Sequence, residues 1–142
     1  MSKRTSIVKA LAEKLKELDG STYSSNVNGN VEPKLRFWDE VNDFPCVYMS
    51  PGTELREYLP GGFAWAFLNI SIKIYCKGEA SSDELESILT DVESILDSTQ
   101  GRLQFSDTDS TEEISVVSIS TDEGLLSPYA VGEINILIRY VR

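Results

Sequence analysis

Hydrophobic residues recur along this chain with two periods. In residues 5–18, Ile7, Val8, Leu11, Leu15 and Leu18 fall on one helical face, with Lys9, Glu13, Lys14, Lys16 and Glu17 on the rest. Asp19-Gly20 follows, and Gly20 suits a left-handed cap. A stronger 3.6-residue stripe, Leu85, Ile88, Leu89, Val92, Ile95 and Leu96, lies opposite Glu86, Asp91 and Glu93. Ser81-Ser82-Asp83-Glu84 ahead of it reads as a capping box with Ser81 as cap, and the helix ends before Gly101.

Between and after these helices the period falls to two. Residues 21–33 are polar, and Asn28-Gly29 predicts a turn that short strands flank. Lys34-Leu35-Arg36-Phe37-Trp38 predicts a brief strand, followed by a loop at residues 39–43. Pro45 opens a strand through Cys46-Val47-Tyr48-Met49, and Pro51-Gly52 closes it. Residues 53–59 alternate, with Leu55, Glu57 and Leu59 on one side and Glu54, Arg56 and Tyr58 on the other. After Pro60-Gly61-Gly62, residues 63–76 form one long strand. Its core face holds Leu68, Ile70, Ile72, Ile74 and Cys76, and the other holds Trp65, Phe67, Asn69, Ser71, Lys73 and Tyr75. A polar loop at 102–111 precedes strands at 114–121 and 130–141. The order predicts an α+β fold: a single mainly antiparallel sheet with a long hairpin, two helices packed on one face, and one domain over residues 1–142.

The hairpin carries a geometric constraint. Fourteen strand residues reach about 46 Å, whereas a compact chain of this length is on the order of 37 Å across. The strand must bend, bulge or project. If it projects, Tyr58, Leu59, Phe63, Trp65 and Phe67 lie outside the body and mark a partner surface. If it bends, the same aromatics tuck against the sheet. The loop at 122–129, with Leu125, Leu126 and Pro128, is a second candidate patch.

Composition narrows the chemistry. The 41% hydrophobic and 25% charged residues are globular values and exclude collagen, coiled-coil rods and wholesale disorder. The longest apolar run, residues 63–68, is far too short to span a membrane, and Lys9, Glu13, Lys14 and Lys16 interrupt any signal-peptide core. A soluble intracellular protein is the expectation. The absence of histidine removes the commonest general base, the commonest metal ligand and every Ser-His or Cys-His nucleophile. Cys46 and Cys76 read as two buried thiols, with a disulfide as the alternative.

Charge is uneven. Residues 1–77 carry ten Lys and Arg against nine Asp and Glu, whereas residues 78–142 carry three against fourteen. Such a chain lacks the cations for tight phosphate binding, yet suits a passage that must not hold DNA; solubility is the plainer use of the charge. Asp107-Thr108-Asp109-Ser110-Thr111-Glu112-Glu113 is the only carboxylate cluster with metal-like spacing, but the fifth, sixth and twelfth calcium-loop positions hold Thr111, Glu112 and Ser118. No phosphate loop or nucleophile elbow occurs. Nothing selects two carboxylates as a catalytic pair, so a carboxylate-dependent enzyme remains only as an alternative. Lys34, Arg36 and Trp38 form a basic-aromatic stretch that would serve single-strand binding, against the plainer reading of an amphipathic strand.

Read together, the N-terminal helix, the strand 45–49, the hairpin across Pro60-Gly61-Gly62, the helix 81–96 and two closing strands resemble the tail terminator (tail completion) proteins of long-tailed bacteriophages, closest to those of T5-like siphophages. The resemblance covers nearly the whole chain and rests on patterns rather than an invariant motif. It implies a virion subunit without catalytic residues or cofactor, closing as a six-membered ring on the last ring of tail-tube protein, or monomeric until the tube supplies a template. The ring would stop tube growth, offer a face to a head completion or connector protein, and let DNA pass without specific binding. On that reading Tyr58, Leu59, Phe63, Trp65, Phe67, Leu125 and Leu126 are expected at a subunit or tube interface. Glu86, Asp91, Glu93, Asp107 and Asp109 are expected to face the lumen. Another neck or minor tail component is the nearest rival.

Overall fold

The computed structural model describes residues 2–142, apart from the Trp38 side chain. Helix α1 spans Lys3–Leu15, two residues earlier than its apolar stripe suggests, because the Ser2 hydroxyl accepts the Thr5 N–H at 3.2 Å and caps it. Bonds from Lys16, Glu17 and Leu18 to carbonyls three residues back tighten the exit and carry Leu18 into the core. Helix α2 spans Ser81–Ser98. Ser81 is not its cap: Ala80 holds that position without a side-chain bond, and Ser81 is buried as the first helical residue. Asp83 and Glu84 in the first turn still complement the helix dipole.

The strands are β1 (Val31–Glu32), β2 (Cys46–Leu59), β3 (Phe63–Lys77), β4 (Glu113–Thr121) and β5 (Tyr129–Val141). They form one sheet in the order β1-β2-β3-β5-β4, antiparallel except for the β1–β2 pair. Two sequence expectations need correction here. Residues 34–38 are not a strand; they lead to a 3-10 turn at Trp38–Glu40, and Leu35 and Phe37 stay exposed. Nor does Pro51-Gly52 close the strand. Proline needs no ladder donor on the outer edge, and β2 absorbs one extra residue as a bulge between Pro51 and Glu54 before running on to Leu59.

Both helices pack on one face. The buried stripes of α1 and α2 meet Met49, Leu68, Ile70, Ile72 and Ile74 with Ile134, Ile136, Ile138 and Tyr140, most of them wholly excluded from solvent. At Gly132 an added Cβ would stand 2.8 Å from Leu85 Cδ1, so the missing side chain lets α2 approach β5. The opposite face is covered only at its base, where the 41–45 segment lays Val41 and Phe44 against Cys46, Tyr48, Tyr75 and Val131. Cys46 belongs to this small cluster and Cys76 to the main core, so they are two free, buried thiols on opposite faces. Burial pushes the Cys46 thiol up to about 12.

The polar loop after α2 is pinned through Thr111, which is fully buried. Its hydroxyl donates to the Gly101 carbonyl at 2.7 Å and accepts the Leu103 N–H at 2.8 Å. Thr111→Val keeps the shape and leaves both groups unpaired. The expected loss is about 2–3 kcal/mol, read as a fall of roughly 6–10 °C in Tm.

Candidate functional site

The half of the sheet left bare by the helices is the surface that distinguishes this fold. Its side chains are set by the bulge. Counting forward from Met49, which faces the helices, Leu55, Glu57 and Leu59 would share that side. The extra residue reverses the parity, so Leu55 stands opposite Phe67, Glu57 opposite Trp65 and Leu59 opposite Phe63 on the helix-free face. From tip to base, the rows read Leu59–Phe63, then Glu57–Trp65–Val141, then Leu55–Phe67–Arg139–Glu113. Next come Asn69–Leu137–Ser115, Ser50–Ser71–Asn135–Ser118 and Tyr48–Lys73–Glu133–Ser120. The tip is therefore apolar and the middle polar.

The apolar tip is ordered by its own contacts. Phe63 meets Trp65 edge to face at 5.1 Å, and the Arg139 guanidinium lies 4.6 Å from the Trp65 ring centre. Arg139 reaches Glu113 at 4.0 Å. Leu55 is 66% exposed and Phe63 37%, while Leu59, Trp65, Phe67, Leu137 and Val141 are half-buried. Lower down, Ser71 donates to Asn135 and Asn135 to Ser118, and Lys73 pairs with Glu133. These groups satisfy one another and leave the middle rows without a free charge cluster.

The hairpin is less of a free arm than its length alone suggests. Strand β5 accompanies β3 as far as Trp65, and the Arg142 N–H donates to the Ala64 carbonyl at 3.1 Å. Only the turn from Leu59 to Phe63 reaches beyond three-stranded pairing. Of the five predicted tip residues, Leu59, Phe63, Trp65 and Phe67 share the open face. Tyr58 lies on the opposite side, across from Ala64. Leu125 and Leu126 sit at the far end, in the β4–β5 loop, with Leu125 84% exposed and Leu126 half-buried. Leu55, Leu137 and Arg139 also belong to the patch; the alternation of 53–59 contained Leu55, but only the bulge reveals its side.

The predicted acidic residues lie elsewhere. Glu86 is exposed on α2 and Glu93 half-buried there, while Asp91 accepts the Ser25 N–H at 3.1 Å and ties the 19–30 turn to the helix. Asp107 is exposed in the loop, and Asp109 closes that loop through Ser106. Those on α2 are on the helix side, whereas Asp109 shares a cavity wall with Phe105 and Val141 at the tip end of β5. Among the described residues, no three His, Cys, Asp or Glu side chains are grouped to hold a metal ion. No described helix is long and apolar enough to cross a membrane. In the basic-aromatic stretch, Lys34 pairs with Glu32 at 3.1 Å, and the Trp38 side chain lies outside the described residues.

One buried carboxylate needs a role. Glu54, 4% exposed, lies under the tip on the helix side. Burial alone would raise its pKa, but a hydrogen bond from Tyr140, another from Arg56, and the charges of Arg56 and Arg4 hold it below its ordinary value. Arg4 also donates to the Gly52 carbonyl at 2.6 Å, so the first residue pair of α1, the bulge and the end of β5 are tied together. The cluster fixes the base of the tip; its carboxylate is fully engaged.

This is the construction of an assembly subunit: a sheet with one covered face, an apolar patch at one end, and free edges. Comparison with known proteins gives the same class. The family described as Bacteriophage Tail Tube Terminator Protein matches residues 1–142, and the chain belongs to that family, whose members are structural proteins of the phage tail. It is 36% identical over 154 aligned positions to the tail tube terminator protein p142 of Escherichia phage T5, covering 99% of this chain and 94% of that protein. Its fold is similar to a chain in the virion of a native gene transfer agent particle, with a TM-score of 0.58, 14% identity, and 97% and 94% of the two chains covered.

The Glu54 cluster has a pH signature. A carboxylate with a lowered folded pKa contributes stability above its unfolded pKa and loses it as pH falls through the folded value. Glu54→Gln is expected to be less stable than the parent near pH 7 and to lose less stability between about pH 7 and pH 3, as read by urea unfolding at both pH values.

Proposed function

We propose that this chain closes as a ring on the end of the phage tail tube, stops tube growth and offers the surface to which the head attaches. The apolar tip on an otherwise polar, helix-free sheet face carries the reading. A patch of Leu55, Leu59, Phe63, Trp65 and Phe67 is well suited to burial against tube protein or a neighbouring copy. Family membership supplies the tail tube as the partner class.

The sheet edges support lateral closure. β4 is unpaired on one side, and β2 is unpaired beyond β1 on the other, from Glu54 to Leu59. The four long strands alternate in direction, so β4 of one copy runs antiparallel to β2 of the next when copies are related by rotation about a common axis. That is a head-to-tail contact, and it closes into a ring of a number set by the rotation per copy; we take six. The engaged carboxylates and the absence of histidine favour a structural over a catalytic role.

Charge supports a passage on the helix side. Glu86, Glu93 and Asp107 put exposed or half-exposed carboxylates there, with Asp91 and Asp109 beside them, and like charge keeps DNA mobile.

In phage lacking this chain, negative-stain microscopy should show overlong tails unattached to filled heads. Tails of normal length would overturn the capping reading. The doubly substituted Trp65→Ser, Phe67→Ser chain should fail to rescue capping while keeping a cooperative unfolding transition; full rescue would remove the tip from the interface. Reversing Glu86, Glu93 and Asp107 to Lys should slow DNA ejection, and unchanged kinetics would assign the passage to the Ser and Asn rows of the sheet.

A further inference from the structure

The lateral edge formed by β4 lacks the devices that keep an edge strand from pairing. From Ile114 to Thr121 it carries no charge and no proline. Helix α2 packs on β3 and β5 rather than on β4, so Val116, Val117 and Ile119 are 39%, 59% and 40% exposed. Where this edge meets the C-terminal end of α2, on the helix side, lies a cavity of about 360 Å³. Leu96, Gln100 and Ile114 line it together with three carboxylates, Asp97, Glu112 and Glu113, and no cation. Glu112 and Glu113 reach Arg102 and Arg139 only at 3.5 and 4.0 Å. Asp97 has no ion pair among the described residues and sits in the last turn of α2, which holds no basic residue. A helix C-terminus carries partial negative charge, so an acid there is locally unfavourable and an incoming cation is favoured.

The opposite lateral edge presents one. On the helix side of distal β2, Arg56 is hydrogen-bonded to Glu54 at 2.8 Å and to Tyr58, which orient it while its side chain stays 36% exposed. Arg4 lies near the same carboxylate, so two arginines there face one glutamate. This half of β2 has no strand on its outer side, because β1 pairs only with Val47 and Tyr48. The register puts the two features at one height. Ile114 shares a row with Ile138, Leu68 and Glu54, and Glu113 shares one with Arg139, Phe67 and Leu55. Arg56 stands in the next row toward the tip, with Ala66 and Tyr140. Glu112 precedes Glu113 at that same height, its N–H donating to the Arg139 carbonyl at 2.8 Å. Both features are on the helix side and at a free edge, so copies set edge to edge bring them together without a shift along the strands.

We infer that distal β2 of one copy lies along β4 of the next in this register, with Arg56 entering the cavity beside Asp97 and Glu112. The inference rests on the ring reading above and adds the register of the lateral contact and the charge that fixes it. The occupant is a second copy of this chain, because the cation, the open edge and the matching row are all its own.

Asp97→Lys, supplied to phage lacking the parent chain, tests it. The substitution complements the α2 dipole, so the purified variant should unfold cooperatively at a Tm no lower than the parent's. Capping should nonetheless be lost, with overlong tails. Glu79→Lys makes the same change of charge at an exposed position outside the cavity and should cap normally. Normal-length tails with Asp97→Lys would overturn the inference, and so would equal loss of capping by both variants. A second chain carries Thr53→Cys and Val117→Cys, exposed positions in the bulges of β2 and β4. Cys46 and Cys76 are buried, so a short bis-maleimide applied to assembled tails reads the new pair. A ladder of covalent multimers ending at the closed ring is expected, with none from either single substitution. Dimers from a single substitution would overturn the inference, because they require like to meet like. Normal-length tails without a ladder would overturn it while leaving the capping function intact. If the double-cysteine chain does not cap, the Asp97 and Glu79 variants decide. Normal-length tails in phage lacking the parent chain would instead overturn the capping reading itself.

Discussion

One extra residue in β2 decides which way the hairpin faces. Side chains in a strand alternate, so a single insertion moves every later residue to the other face. Without the bulge between Pro51 and Glu54, Leu55 and Leu59 would point toward the helix layer, and Glu54 would point away from Tyr140. With it, the apolar residues of β2 join Trp65 and Phe67 on the open face, and Glu54 enters the buried cluster with Tyr140 and Arg56. The same slip therefore builds the exposed patch and the clamp beneath it. Arg4 reaches the bulge carbonyl of Gly52, which couples the start of α1 to the same point.

Much of this architecture was legible in the chain because its elements have long, clean periods. The α2 stripe and the alternation of β3 and β5 extend far enough for one face to be buried and the other left partly open, and the sheet and both helices follow from them. What failed was local punctuation. Pro51-Gly52 resembles a strand end, yet on an edge strand proline omits only a donor that has no partner. Ser81 followed by Glu84 has a capping-box spacing, but the chain enters the helix a residue earlier, at Ala80. Leu35 and Phe37 alternate like a strand, and only the tertiary bond from Tyr75 to Arg36 shows that they form a cavity wall.

The candidate surface was legible in its residues but not in its grouping. Trp65 and Phe67 announce themselves as aromatics on a strand face with no matching polar alternation. Their neighbours Leu137 and Arg139 are 70 or more positions away and arrive through the β3–β5 register, which no local pattern encodes. The acidic residues illustrate the reverse. They are clustered along the chain, but Asp91 and Asp109 are spent on a backbone link and a loop closure, so their count overstates the charge presented to solvent.

A subunit that must add to its own kind a fixed number of times and then stop needs two unlike surfaces on opposite sides, because a self-complementary patch gives only a pair. This fold has that polarity throughout. One lateral edge is a nine-residue strand with its outer side unpaired, and the other is the distal half of β2, kept from indiscriminate pairing by Pro51 and the bulge. The apolar tip lies at one end of the strands, and its Leu55 and Leu59 belong to the same distal half of β2 that forms this edge, so the patch and the edge are continuous.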